Sequence, residues 1–158
     1  APRVLVDYAH TDDALDNALG AVRRVAEGRL TAVFGCGGDR DRTKRPRMAA
    51  VACRWADRVV ITSDNPRTED PRRILADILE GVPADRQGDV LVEPDRAAAI
   101  AMAIARAGDE ETIVLAGKGH EDYQILSDGR GGVRKIAFDD RLHAAEALRQ
   151  RRLENIAP

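Results

Sequence analysis

The chain has 158 residues, a length that suits one domain whose core buries roughly two-thirds of the unfolded surface. Charged residues make up 33% and nearly cancel at net −2, which speaks against nucleic acid or a membrane surface as partner; no apolar run reaches the roughly 20 residues of a spanning helix, and no basic-plus-apolar leader opens the sequence. Apolar residues are 44% but aromatics only 3%, so the core must be built from Ala, Val, Leu and Ile.

Taken in chain order, residues 3–8 form a short β-branched run that predicts a strand. A core strand this close to residue 1 predicts a domain belonging to a longer chain. Residues 11–28 carry Ala14, Leu15, Ala18, Leu19, Val22 and Val25 as one helical stripe, with Thr11, Asp12 or Asp13 to cap the start and Gly28 to suit the end. Residues 30–36 are strand-like, and Pro46 predicts the opening of a helix to about Asp57. A third strand is expected over 58–63, a helix over 71–79, a fourth strand over 89–94, an Ala-rich helix over 95–108, and a fifth strand over 112–117. Residues 123–140 hold two strand-like pieces around "SDGRGG", which predicts a hairpin with an antiparallel strand at one sheet edge. A last helix is expected from Asp139 to about Arg152. Strands with continuous apolar runs, alternating with helices, predict an α/β fold: an open, Rossmann-like, mostly parallel sheet of about six strands with helices on both faces. The domain is expected to cover residues 1–152, with 153–158 as a tail.

In such sheets ligands bind beyond the carboxyl ends of the strands. Four of the five loops at that edge are dense in polar residues and glycine, and the helices show nothing comparable. "GCGGDRDRTKR" is glycine-rich but fits neither a P-loop nor a dinucleotide fingerprint. Its basic residues Arg40, Arg42, Lys44, Arg45 and Arg47 either hold an anion or form a solvated charged loop. In "SDNPR", Arg67 offers a planar fork for a carboxylate, Asp64 and Asn65 offer acceptors for an ammonium group, and Pro66 stiffens the turn. In "GKGHE", the glycines around Lys118 allow close backbone approach, Glu121 offers a carboxylate, and His120 is either a proton shuttle or a positioner. In "DYAHTDD", Tyr8 and His10 suit a base or a ribose hydroxyl, while Asp7 and Thr11 also suit helix capping. Together these residues predict recognition of a zwitterion such as an amino acid. The two cysteines, Cys36 and Cys53, match no zinc spacing and predict free thiols in a reduced, cytoplasmic protein.

The four stretches "DYAHTDDAL", "GGDRDRTKRP", "TSDNPRTED" and "GKGHEDYQ", in this order, resemble the carboxy-terminal domain of the Mur ligase family. The likeness runs from Val4 to about Arg151. It departs at Asp12, where the family commonly has proline. "DNPR" and "GKGHE" point to the branch that adds meso-diaminopimelate, since lysine-adding relatives carry a different tetrapeptide in place of the first. The resemblance implies that Arg40, Asp64, Asn65, Arg67, Gly117 and Glu121 contact diaminopimelate, and that Asp7, Tyr8 and His10 contribute to an ATP site. It further implies activation of the D-glutamate carboxyl of UDP-N-acetylmuramoyl-dipeptide as an acyl phosphate, with ATP and Mg²⁺, and attack by the diaminopimelate amine. The family's UDP-binding and central ATPase domains have no counterpart in these residues, so this chain alone is expected to be inactive, without metal ligands, monomeric, and to pack on the central domain. His120 is the one candidate for a catalytic side chain. Two alternatives are a stand-alone amino-acid or nucleotide sensor, and a ligase domain for another amino acid such as L-lysine.

Overall fold

The computed structural model describes residues 1–156 and turns the predicted alternation into β1 (Arg3–Asp7), α1 (Asp12–Val25), β2 (Leu30–Phe34), α2 (Lys44–Trp55), β3 (Arg58–Ile61), α3 (Pro71–Leu79), a 3-10 helix (Ala84–Asp89), β4 (Val90–Val92), α4 (Arg96–Ala105), β5 (Thr112–Ala116), β6 (Tyr123–Ser127), β7 (Val133–Ala137) and α5 (Asp140–Ile156). Strands β1 to β5 make one wholly parallel sheet in the order β1-β5-β2-β3-β4. The interior strands β2 and β5 are buried at every residue, as their unbroken apolar sequences require, whereas the edge strand β1 alternates between exposed and half-buried.

Each face of the sheet has its own core. Leu15 and Leu19 of α1, Met48 of α2 and Ile78 of α3 pack on Phe34 and Ile61 on one side. Ile100 and Ile104 of α4 and Ala144 of α5 pack on Val33, Val60, Ile113 and Leu115 on the other. Local chemistry sets the helix starts. Thr11 Oγ1 accepts from Ala14 N at 3.2 Å, Asp95 caps α4 through Ala98 N, and Asp70 caps α3 with Pro71 in its first turn.

The predicted layout differs from the structure in its details. Helix α2 begins at Lys44, two residues before Pro46; a proline is tolerated there because first-turn N–H groups have no intrahelical partner. The 3-10 helix was not expected from the sequence. Arg86 holds it, donating to the carbonyls of Cys53 and Ala56 and to Asp89. The hairpin β6-β7 is antiparallel as expected, but it forms a separate two-stranded sheet instead of extending an edge of the main one. Its β6 finds its partners in the loop after β3: Gln124 Nε2 donates to Asp64 O (2.8 Å), Ile125 N to Asn65 Oδ1 (3.0 Å) and Arg67 N to Ile125 O (3.1 Å). Helix α5 runs on to Ile156 through the first part of the expected tail, and residues 157 and 158 lie outside the described residues.

Candidate functional site

A cavity of about 530 Å³ opens at the carboxyl ends of the strands. Tyr8 and His10 reach it from the loop after β1, Gly37 and Arg40 from the loop after β2, and Asp64, Asn65 and Arg67 from the loop after β3. Gly117 and Glu121 reach it from the loop after β5. Segments more than a hundred residues apart in sequence therefore meet in one pocket, because a parallel sheet delivers every strand end to the same edge.

The pocket has two electrostatic ends. At the acidic end Asp64 and Asn65 are buried, and Glu121 is half-buried with Oε2 accepting from Asn65 Nδ2 at 3.4 Å. Lys118, fully buried, lies behind them: Nζ donates to Asn65 Oδ1 (2.8 Å) and Tyr123 O (2.9 Å). Asp64 Oδ1 is 3.1 Å from the same ammonium, close enough to pair by charge but not aligned as a hydrogen bond. Gly117, at φ +116°, is the residue that lets the chain pass here; a Cβ on it would stand 3.2 Å from Asp64 Oδ2.

The basic end is built from Arg67 and Arg40. Arg67 has a left-handed backbone at φ +52°, rare for a side chain of its size. Its Nη1 donates to the Gly38 carbonyl at 2.9 Å, and among the described residues Nε and Nη2 have no hydrogen-bond partner. That edge of the guanidinium is free to grip a carboxylate with two parallel bonds. Arg40 is exposed, with Nη1 on its own neighbour's carbonyl, Asp39 O. Asp39, also at positive φ, is fixed by Thr68, whose hydroxyl and N–H hold its carboxyl below the usual range.

Of the two readings left open for this loop, an anion cradle or a solvated charged loop, neither describes its remaining cations, each of which has a protein partner; Lys44 among them also lines the pocket. Arg45 is fully buried and forks onto Glu69 (2.5 Å) and Asp77 (2.8 Å), and Arg42 also reaches Asp77 (3.1 Å). Arg47 pairs with Asp12 (3.1 Å), and Lys44 Nζ donates to His10 O (2.7 Å). Hydrogen bonds from Arg45 hold the carboxyls of Glu69 and Asp77 below their ordinary values.

At the mouth, Tyr8 is half exposed and its ring stands 4.9 Å from that of His10 and 5.6 Å from that of His120, the latter stacked. His10 Nδ1 lies 2.9 Å from Tyr8 O; the carbonyl accepts, so Nδ1 carries the proton. His120 is exposed and is not part of the pocket wall. Asp7 is not part of it either, with Oδ1 accepting from Ala9 N at 2.7 Å in the turn after β1. Both cysteines are free and buried, and burial pushes the Cys36 thiol up to about 12, so it offers no nucleophile near neutral pH. Lys118 is the main residue that sequence reasoning overlooked. The flanking glycines were a signal of close approach, but nothing in the sequence said that the lysine turned inward.

A parallel α/β sheet with an acidic and a basic loop cluster at its carboxyl edge defines a domain of Rossmann-like class. A family model described as Mur ligase, glutamate ligase domain, matches residues 1–119, and the chain belongs to that family. The chain is 62% identical over 150 residues to the UDP-N-acetylmuramoyl-L-alanyl-D-glutamate--2,6-diaminopimelate ligase of Parasynechococcus marenigrum (strain WH8102), covering 95% of this chain and 29% of that protein. It is 61% identical to the protein of the same name from Synechococcus elongatus, again over 29% of that protein. A solved structure of a ligase with this name superposes with a TM-score of 0.85 at 43% identity, covering 94% of this chain and 29% of that one. The chain thus spans under a third of the length of these relatives. No helix among the described residues is long and apolar enough to cross a membrane.

Proposed function

We propose that residues 1–152 are the carboxy-terminal domain of a ligase that joins meso-diaminopimelate to UDP-N-acetylmuramoyl-L-alanyl-D-glutamate at the expense of ATP, and that this domain binds and aims the amino-acid nucleophile. The observation that carries this reading is the two-ended pocket. Asp64 and Glu121 suit the ammonium group, whereas Asn65, expected from the sequence as a further acceptor, has its Oδ1 taken by Lys118 Nζ and Ile125 N and presents Nδ2 to Glu121 instead; the free edge of Arg67, with Arg40, suits the carboxylate of one amino-acid head of diaminopimelate. The other amine is then left to face outward, where an activated carboxyl can meet it. The names of the relatives at 61–62% identity support the choice of substrate.

On this reading the work of the domain is orientation. A nucleophile held at one end by charge-assisted hydrogen bonds no longer has to find its partner by diffusion. The exposed Tyr8 ring with His10, and Asp7 at the end of β1, suit the edge of a nucleotide, so they fit a share in an ATP site. ATP supplies the activation of the D-glutamate carboxyl. Among the described residues no group of three or more His, Cys, Asp or Glu side chains is placed to hold a metal ion. We assign Mg²⁺ binding and carboxyl activation to the rest of the longer protein, which closes onto this domain.

The test is an assay of amide formation coupled to ADP release, run on the full-length protein and on this chain alone. Turnover by the first that depends on meso-diaminopimelate, with none by the second, is expected. Ligation by the isolated chain, or a full-length protein indifferent to meso-diaminopimelate, would contradict the reading. Tight binding of an amino acid by this chain alone would indicate a sensor instead.

A further inference from the structure

We propose that Lys118 is a built-in counter-cation that sets both the charge and the hydrogen-bond polarity of the ammonium-binding end of the pocket, and so acts as a positioning residue for the nucleophile. The proposal rests on the reading above that this pocket holds an amino-acid head.

Fully buried lysines are rare and need partners. Lys118 is 0% exposed, and four oxygens surround its Nζ: Asn65 Oδ1 at 2.8 Å, Tyr123 O at 2.9 Å, Asp64 Oδ1 at 3.1 Å and Glu121 Oε2 at 3.9 Å. Two of the four belong to carboxylates that the ligand would meet. Asp64 and Glu121 together carry two negative charges, and Lys118 returns one. The end of the pocket is left with a single net negative charge, the complement of one ammonium group.

The second consequence concerns Asn65. Its Oδ1 accepts from Lys118 Nζ and, at 3.0 Å, from Ile125 N. Two donors converge on this atom, and a flipped amide would put an NH₂ group against both. The side chain is therefore locked with Nδ2 on the pocket side, 3.4 Å from Glu121 Oε2. Nδ2 orients the Glu121 carboxylate, whose other oxygen remains for the ligand. Lys118 touches no ligand on this account and works through Asn65 and the two carboxylates. The backbone serves the same end: Gly117 at φ +116° and Gly119 at φ +53° turn the chain so that the lysine between them points inward while Glu121 stays at the wall.

The experiment is a double-mutant cycle in the full-length ligase with Lys118→Met and Asn65→Ala, reading KM for meso-diaminopimelate and kcat separately, with thermal unfolding as the check on folding. Each single change is expected to raise KM roughly ten-fold or more, with kcat at saturation within about three-fold of wild type, because truncating one partner of a buried charged pair mostly weakens binding. The double variant is expected to be no worse than the poorer single one, as befits two residues acting as one unit. An unchanged KM in folded Lys118→Met, or strictly additive losses, would overturn the role of Lys118. Should Lys118→Met fail to fold, Lys118→Arg runs the same cycle. That variant keeps the charge but misplaces the donors, so it should raise KM only while Asn65 is present. A wild-type protein that ignores meso-diaminopimelate would instead refute the functional reading beneath the proposal, a result separable from either of these.

Discussion

Arg67 and Gly117 share a property that decides how the pocket works: both hold a positive φ, at +52° and +116°. Strained backbone persists only where its surroundings over-determine it. For Arg67 the surroundings are the Ile125 carbonyl, which takes its N–H, whereas Gly117 holds its φ without strain and leaves to Asp64 the space a Cβ would crowd. Gly117→Ala is expected to lower stability by about 1–3 kcal/mol, since alanine must both adopt an unfavourable φ and push on Asp64. Thermal unfolding of this chain measures it, and KM for meso-diaminopimelate in the full-length protein should rise in parallel. At this scale the sequence was readable where chemistry is compact. "DNPR" announced an acid, an amide and a guanidinium in one turn. It was not readable where a side chain's partner is distant, so for Arg42, Lys44, Arg45 and Arg47 an anion site and a solvated loop both stayed open, although each is taken up by a carboxylate or carbonyl far away in the chain.

Two buried arginines tie elements to the pocket. Arg96, at the start of α4, is fully buried and forks onto Asp140 of α5 (2.8 and 2.7 Å). It also donates to Ser63 O and Ala116 O, the residues immediately before Asp64 and Gly117. The two helices thereby fix the spacing of the two loops that make the acidic end. Arg96→Met leaves a buried carboxylate unpaired and is expected to cost about 3–5 kcal/mol, measurable by urea unfolding. Arg45 does similar work between α2 and α3, and its effect has a sign in pH. Glu69 and Asp77 titrate below their ordinary values because Arg45 bonds their charged forms. Their contribution is fully present above the ordinary carboxylate range and is lost as pH falls through their lowered folded values. Stability of this chain should therefore fall on acidification from roughly pH 4.5 downward. In Arg45→Leu, which lacks the fork, that acid limb should be shallower; a limb of unchanged steepness would show that the pairing is not its cause. Helices were legible from caps and stripes, whereas the placement of β6-β7 was not. A hairpin's sequence declares its own pairing but not the loop against which it will lie, and here the decisive partner was Asn65, a side chain rather than a strand edge.

For the molecule as a whole, the alternation of strand and helix was sufficient to predict the parallel sheet, its two covered faces, and the edge at which this cavity opens. It could not supply the strand order β1-β5-β2-β3-β4, because contacts between strands with unbroken apolar sequences are interchangeable at the level of pattern. That order places β5 between β1 and β2, and so brings Gly117 and Glu121 between the loop carrying Tyr8 and the loop carrying Asp64. The central claim is that this pocket selects an amino acid with a second zwitterionic head. With its α-amino-acid end left as the nucleophile, lysine offers its ε-ammonium to Asp64 and Glu121 but no carboxylate beside it for Arg67. The most direct measurement is kcat/KM for meso-diaminopimelate and for L-lysine in the full-length protein, wild type and Arg67→Ala. The account predicts a preference for meso-diaminopimelate of about a hundred-fold or more in the wild type, in line with the loss of a bidentate charged contact, collapsing toward parity in Arg67→Ala through a raised KM for meso-diaminopimelate alone. Equal use of both amino acids by the wild type, or a preference that survives loss of Arg67, would contradict it.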